Sequence, residues 1–392
     1  MLCNRAIKVN AWTQWGKLKT VVVGRADSAC FQPEEPAFKG KINNKIIEKE
    51  LDWPLGRKKQ RVIDRANNQL DNLAIVLTRL GVNVLRPSPI DFNREIKTPL
   101  WQVNNMFCCV CPRDVMITIG NSIIEATMSK RGRFFEYLPY RDIMYKLWDA
   151  DHYMKWKAAP KPSMNSNMYW EGYWSKFNSF NIKSEDEQHK LLHDYKYVLN
   201  ESEIAFDAAD ITRCGKDIFV QHSMTTNLRA IEWLRRELDG LIRVHTLKFP
   251  YDREPSHIDC TLVPLRPPRS EQRGVILTNP ERPLLDKDKK FFKDNGWELV
   301  DVPMPSKINY PMPTFCQSSK WLSMNLLSID ENTVIVEENE KDLHVLLEKL
   351  GFETIKIPFR NVFEFGGSIH CSTWDIERED SSEDFFRTPY AL

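Results

Sequence analysis

The feature that most constrains this chain is a repeat. Leu80-Gly81-Val82-Asn83-Val84-Leu85-Arg86-Pro87, Asn295-Gly296-Trp297-Glu298-Leu299-Val300-Asp301-Val302-Pro303 and Leu350-Gly351-Phe352-Glu353-Thr354-Ile355-Lys356-Ile357-Pro358 share one pattern: a glycine, a short β-rich run, then proline. A looser copy starts at Leu238-Asp239-Gly240 and ends at Pro250. Each glycine sits where a helix C-cap belongs, after apolar-periodic segments such as Leu343-His344-Val345-Leu346-Leu347-Glu348-Lys349-Leu350.

Upstream of these closings lie β-branched and aliphatic runs suited to strands buried on both faces. They are Thr20-Val21-Val22-Val23-Gly24, Val115-Met116-Ile117-Thr118-Ile119-Gly120, Asp217-Ile218-Phe219-Val220, Gly274-Val275-Ile276-Leu277-Thr278 and Thr333-Val334-Ile335-Val336. Five openings predict a closed ring of five ββαβ-type modules forming one α/β domain over residues 1–392. A doubly wound sheet also alternates strands and helices, but no G-x-G-x-x-G or P-loop motif follows any strand. The second module carries an irregular insert at about 148–200, rich in Trp, Tyr, Lys and Asn, read as a surface excursion beside the site.

With 42% hydrophobic residues and 11% aromatics the chain can bury a substantial core, and a net charge of +1 gives no sign of a nucleic-acid or membrane-surface protein. No apolar run reaches a membrane span. The sequence from Met1 moves at once into folded-looking residues, so a cytoplasmic protein without a presequence is expected. Nine scattered cysteines fit reduced thiols. Cys108-Cys109-Val110-Cys111 lacks a matching second pair for zinc and reads as core or pocket-wall thiols.

In a repeat ring, polar residues at strand ends converge on the axis. Phe365-Gly366-Gly367-Ser368-Ile369-His370-Cys371 presents a cysteine from a glycine-hinged loop, the layout of a nucleophile, although a single cysteine is more often a buried apolar residue. Other strand ends supply Asp114, the Phe206-Asp207-Ala208-Ala209-Asp210 segment, His257 and Asp259 on one side of an extended run, Arg282, and Ser318-Ser319. Each has a structural alternative: Asp210 fits a helix N-cap, His257 a core histidine, Arg282 an exposed turn, and the serines a helix cap. Together they suit a substrate with a guanidinium head and a carboxylate tail.

These residues carry a resemblance to the L-arginine amidinotransferases, the family of glycine and inosamine-phosphate amidinotransferases. It runs from Val9 to Asp375 through Pro112-Arg113-Asp114, Arg133-Phe134-Phe135-Glu136-Tyr137, Ala159-Pro160-Lys161-Pro162, Phe206 to Asp210, His257-Ile258-Asp259, Asn279-Pro280-Glu281-Arg282-Pro283, the Ser318 to Asn325 run, and Gly366 to Cys371. The resemblance implies a five-fold pseudosymmetric β/α propeller, the pentein fold of guanidine-modifying enzymes. It implies Cys371 as nucleophile, His257 as acid and base, and Asp207 orienting that histidine. It implies that Asp114, Asp259, Arg282, Ser318 and Ser319 bind L-arginine, with an amine as acceptor, no cofactor or metal, and a homodimer.

The chain departs from the glycine-using members just before His257. Where they have Asn-Pro-Met, it has Glu254-Pro255-Ser256. Serine for methionine widens an acceptor pocket, and a carboxylate at Glu254, if it faces that pocket rather than solvent, disfavours glycine. The serine resembles enzymes of cyanobacterial guanidinium-toxin pathways. A saxitoxin-type amino-ketone acceptor is therefore expected ahead of glycine for cylindrospermopsin-type synthesis, with an arginine deiminase-like hydrolase as the reading from another class.

Overall fold

The computed structural model describes residues 7–39, 54–170, 173, 185–249, 257–307 and 319–390. Five three-stranded sheets are arranged as modules, each with a central strand paired antiparallel on one side and parallel on the other. In the first, β1 (Lys17–Val23) crosses through helix α1 (Gln60–Arg79) to its parallel partner β2 (Asn83–Leu85). The second contains β3 (Met116–Ile119), β4 (Ser122–Glu125), α2 (Arg141–Ala150) and β5 (Lys155–Ala158). The third contains β6 (Ile211–Cys214), β7 (Asp217–Gln221), α3 (Leu228–Glu237) and β8 (Arg243–Leu247).

The fourth module is β9 (Leu262–Arg266), β10 (Gly274–Thr278), α4 (Asp286–Asp294) and β11 (Trp297–Asp301). The fifth is β12 (Leu327–Ser328), β13 (Thr333–Glu337), α5 (Lys341–Lys349) and β14 (Glu353–Ile357). The antiparallel partner of β1 comes from the other end of the chain: β15 (Thr373–Glu379) pairs Asp375 with Val21 and closes the first module.

The ring follows from packing as well as pairing. One apolar cluster joins Trp374 and Ile376 to the second and third modules, and another joins Val21 and Val23 to Leu327 and Ile335 of the fifth. Two more link the fourth module to the fifth and to the third. Every neighbouring pair therefore shares buried surface, and the chain is a five-fold pseudosymmetric β/α propeller.

The helices cover the outside through single apolar stripes; on α1 the stripe is Ile63, Ala66, Leu70, Leu73 and Leu77. The repeat glycines Gly81, Gly240, Gly296 and Gly351 all take the positive φ expected after a helix end. No helix among the described residues is long and apolar enough to cross a membrane.

Three sequence expectations change. The run at 115–120 forms β3, the antiparallel edge strand of its sheet, while the central strand is β4. The closing strand β5 of that module falls inside the stretch read as an insert at 148–200. Asp210 is not an N-cap. Asn227 caps α3 by accepting from the Ala230 N–H at 3.0 Å, whereas buried Asp210 receives the hydroxyls of Ser223, Thr225 and Thr226 at 2.7, 2.9 and 2.6 Å.

Beneath the axis lies a buried charge cluster. Asp375 accepts from Arg113 at 2.7 Å, from Arg378 at 2.8 Å and from Arg213. Burial works to raise its carboxyl, but Arg113, Arg378 and Arg213 outweigh it and hold the group well below the carboxylate range. Removing the anion that all three share leaves Arg113, Arg213 and Arg378 buried with much of their compensation gone. Asp375→Ala is expected to cost roughly 3–5 kcal/mol in equilibrium denaturation. Because the folded pKa lies below the unfolded one, the unfolded chain binds more protons as pH falls. This stabilisation is therefore present at neutral pH and lost toward acid.

Candidate active site

The short turns that lead into the inner strands carry the polar residues. Asp114 lies in the turn Pro112–Val115 before β3, and Asp207 stands at the start of Ala208–Asp210 before β6. His257 and Asp259 flank the start of Ile258–Cys260 before β9. Ser319 and Asn325 bracket Lys320–Met324 before β12, and Cys371 immediately precedes β15. Pseudosymmetry thus brings five distant pieces of sequence to one mouth of the ring. His257 and Asp259 were expected on one side of an extended run. They instead share a 3₁₀ turn, and both still reach the cleft.

Gly366 and Gly367 have separate tasks. Gly366 ends the turn Arg360–Phe365 at φ 79°, a left-handed conformation that glycine adopts without strain. At Gly367 a Cβ would stand 2.5 Å from the Cys111 sulfur and 2.8 Å from the Cys371 Cβ. Only a residue without a side chain lets this loop pass the nucleophile candidate.

Among the described residues the cleft is lined by Asp114, Lys130, Arg133, His257, Asp259, Ser319 and Cys371 with Phe107, Cys260, Leu322, Phe365 and Gly366. Asp207 stands behind His257, fully buried, with its Oδ2 3.2 Å from His257 Nε2. Its Oδ1 accepts from the backbone N–H and hydroxyl of Ser129 at 3.1 and 3.2 Å. Burial pushes the Asp207 carboxyl up, but Lys130, His257 and Arg133 more than offset this and hold it low. An ionised Asp207 only accepts, so His257 carries its proton on Nε2. Nδ1 is left on the side of Asp114, 3.7 Å from Oδ1.

Asp114 is braced by Arg133, whose Nη1 donates to Oδ2 at 2.7 Å while the same guanidinium holds Glu136 at 2.7 Å. Asp259 Oδ2 accepts from the Cys371 thiol at 3.2 Å and from His370 Nδ1 at 2.9 Å. Burial again opposes ionisation there, and His370, His257 and Cys371 overcome it, so Asp259 is held low. The Cys371 backbone N–H donates to Asn325 Oδ1 at 3.0 Å. Burial, Asp259 and Asp114 together push the Cys371 thiol well up, which favours its protonated form.

The two cleft carboxylates each keep an oxygen that accepts no hydrogen bond among the described residues: Asp114 Oδ1 and Asp259 Oδ1, both buried. A planar cation with several N–H donors matches two such acceptors beside one thiol. Ser319 lines the cleft and caps its own turn, accepting from the Trp321 N–H at 3.1 Å. Arg282 is not among the lining residues; it is buried, bonded to Thr261 Oγ1 and stacked 4.9 Å from the Phe249 ring. Ser318, Glu254 and Ser256 lie outside the described residues.

Sequence reasoning passed over Lys130, Arg133, Asn325 and His370 as site residues. Arg133, Asn325 and His370 fall within motifs already singled out, and only their partners reveal their roles.

No family model matches the chain. It is 36% identical over 385 residues to the mitochondrial glycine amidinotransferase of Danio rerio, covering 96% of this chain and 85% of that one. It is 35% identical over 378 residues to the L-arginine:L-lysine amidinotransferase of Pseudomonas savastanoi pv. phaseolicola, covering 96% of each. The solved structure of SxtG, an amidinotransferase of the saxitoxin biosynthetic pathway of Microseira wollei, superposes with TM-score 0.83 at 35% identity, over 96% of this chain and 99% of that one. With these likenesses spanning the ring and all the turns that form its mouth, the chain belongs to the amidinotransferase family.

Proposed function

We propose that the protein moves the amidino group of L-arginine to a primary amine through a covalent adduct on Cys371, releasing L-ornithine. The observation that carries this reading is the pair of carboxylate oxygens that accept no hydrogen bond among the described residues, Asp114 Oδ1 and Asp259 Oδ1, in one cleft with the Cys371 thiol. A guanidinium bound between them neutralises the charges that keep the thiol protonated, so substrate binding itself favours the thiolate. Ser319 and its neighbour Ser318 bind the amino-acid end. The family resemblance assigns Arg282 to the α-carboxylate, while here its guanidinium is bonded to Thr261 and does not line the cleft.

In this reading the thiol proton passes to Nδ1 of His257, and the thiolate sulfur bonds to the guanidinium carbon. The resulting tetrahedral adduct collapses as the imidazolium gives its proton to the ornithine nitrogen and that C–N bond breaks. An S-amidino cysteine remains. The acceptor amine attacks the same carbon, loses a proton to His257, and the C–S bond breaks to return the thiolate. Ping-pong kinetics is the consequence.

The acceptor in this reading is larger than glycine, an amino ketone of the saxitoxin type. It is supported by Glu254 and Ser256 in the sequence and by the likeness to SxtG. Glycine is the second reading, favoured by the likeness to glycine amidinotransferase. A deiminase-like hydrolase would put water in the acceptor's place.

Intact-protein mass spectrometry after incubation with L-arginine alone tests the core of the proposal. An amidino adduct mapped to Cys371 and discharged by amines but not by buffer is expected. Discharge by glycine better than by larger amines would overturn the acceptor assignment. Citrulline in place of ornithine would make the protein a hydrolase.

A further inference from the structure

His370 stands beside the nucleophile in sequence, and the steps above give it nothing to do. Its placement is nevertheless tightly specified. The residue is 8% exposed, with Nδ1 2.9 Å from Asp259 Oδ2 and Nε2 3.3 Å from Gln14 Oε1. Its backbone N–H donates to Asn325 O at 3.1 Å, and its carbonyl accepts from Arg113 Nε at 2.8 Å and from the Thr373 hydroxyl at 2.9 Å. The imidazole and Asp259 also line a second small cleft on the side of Gln14, Thr212 and Ser328, so the pair forms part of a partition behind the reacting thiol.

We propose that His370 is a positioning residue for Asp259: its Nδ1–H holds Oδ2 beside the Cys371 sulfur and so keeps Oδ1 presented to the guanidinium. The inference rests on the arginine reading above. The bond has a direction because an ionised carboxylate only accepts, so the hydrogen lies on Nδ1, and the bare Nε2 only packs against Gln14 Oε1, itself an acceptor. Burial first, and then Arg113, depress the imidazole to about 4 despite the pull of Asp259, so His370 acts as a neutral donor. A neutral donor steadies the carboxylate without cancelling the charge that the substrate must meet.

The groups around the pair are few. His370 and Cys371 face Asp259 from the C-terminal loop, and His257 faces it from the start of its own turn. Arg113 and Asp375 face His370, and Arg213 reaches Gln14 at 3.4 Å. Of these, His370 contributes the largest effect opposing the burial of Asp259. Without it, less opposes the burial and Asp259 takes up a proton at higher pH.

The test is L-arginine binding by calorimetry across pH in a Cys371→Ser background, where no chemistry intervenes and the hydroxyl can still donate to Asp259. Adding His370→Leu is expected to weaken binding by about 10-fold or more at neutral pH, in line with loss of a hydrogen bond to a charged group. It should also move the acid-side loss of binding to higher pH. Adding His370→Asn, which restores an N–H near the position of Nδ1, should return both toward the background. If His370→Leu does not fold, Gln14→Leu, which releases the far edge of the ring, should give a smaller shift of the same sign. No binding in the Cys371→Ser background would overturn the arginine reading. Binding there with the same pH profile in all the variants would overturn the role of His370 alone.

Discussion

Cys371→Ala is expected to form no adduct with L-arginine and to lose turnover by on the order of 10⁵-fold or more, the scale seen when a covalent nucleophile is removed. The magnitude follows from the chemistry. A guanidinium carbon is a poor electrophile because its charge is delocalised over three nitrogens, and no other described group in the cleft replaces sulfur in attacking it. Cys260 also lines the cleft, and its sulfur receives the Asn325 amide at 3.5 Å. Binding should survive, because Asp114, Asp259 and Arg133 are untouched. The informative result is therefore a variant that holds L-arginine and does nothing to it. Full turnover by Cys371→Ala, measured as ornithine release, would exclude the covalent route.

The parts of the fold legible in sequence were those written locally. The central strands β1, β7, β10 and β13 are continuous aliphatic runs, and the C-cap glycines mark helix ends because the left-handed conformation selects for glycine. The inner strands escaped because their burial is decided elsewhere. β12 has two residues, too few for any period. β6 and β15 contain Arg213, Asp375 and Arg378, which read as exposed until the ring brings them together and neutralises them. The run at 115–120 looked central for the opposite reason: its aliphatic residues are buried wherever the strand sits.

The site followed the same division. Cys371, His257, Asp114 and Asp259 were recognisable because each stands in a distinctive run of residues. Asp210 was misread because Asp before an apolar stretch is a common capping pattern. Its three hydroxyl partners lie beyond a hairpin, where local pattern does not reach. Lys130 and His370 gain meaning only from the carboxylates that they face across the axis. Glu254 and Ser256 are the residues on which the acceptor expectation stands, and their side chains lie outside the described structure.

Asp207→Asn is expected to lower turnover by about 10²–10⁴-fold, the range for losing a correctly oriented acid–base group. The substitution preserves shape, and the Asn Oδ1 still accepts from Ser129 as Asp207 does at 3.1 and 3.2 Å. What changes is the atom facing His257. An amide N–H in place of Oδ2 turns Nε2 of the imidazole into an acceptor and moves its proton to Nδ1, the nitrogen on the cleft side. The neutral histidine then has no free lone pair there to take a proton from the thiol or from the acceptor amine. The imidazolium also loses the attraction of a carboxylate that Lys130 and Arg133 help keep ionised. Both half-reactions should slow, seen separately as adduct formation with L-arginine and adduct discharge by amine. The rate-profile limb that reports His257 should move to lower pH, because the protonated ring is less favoured without the anion. Unchanged half-reaction rates in Asp207→Asn would show that His257 does not depend on this partner. His257→Ala, which removes the ring itself, would then have to show whether the proton travels by another group.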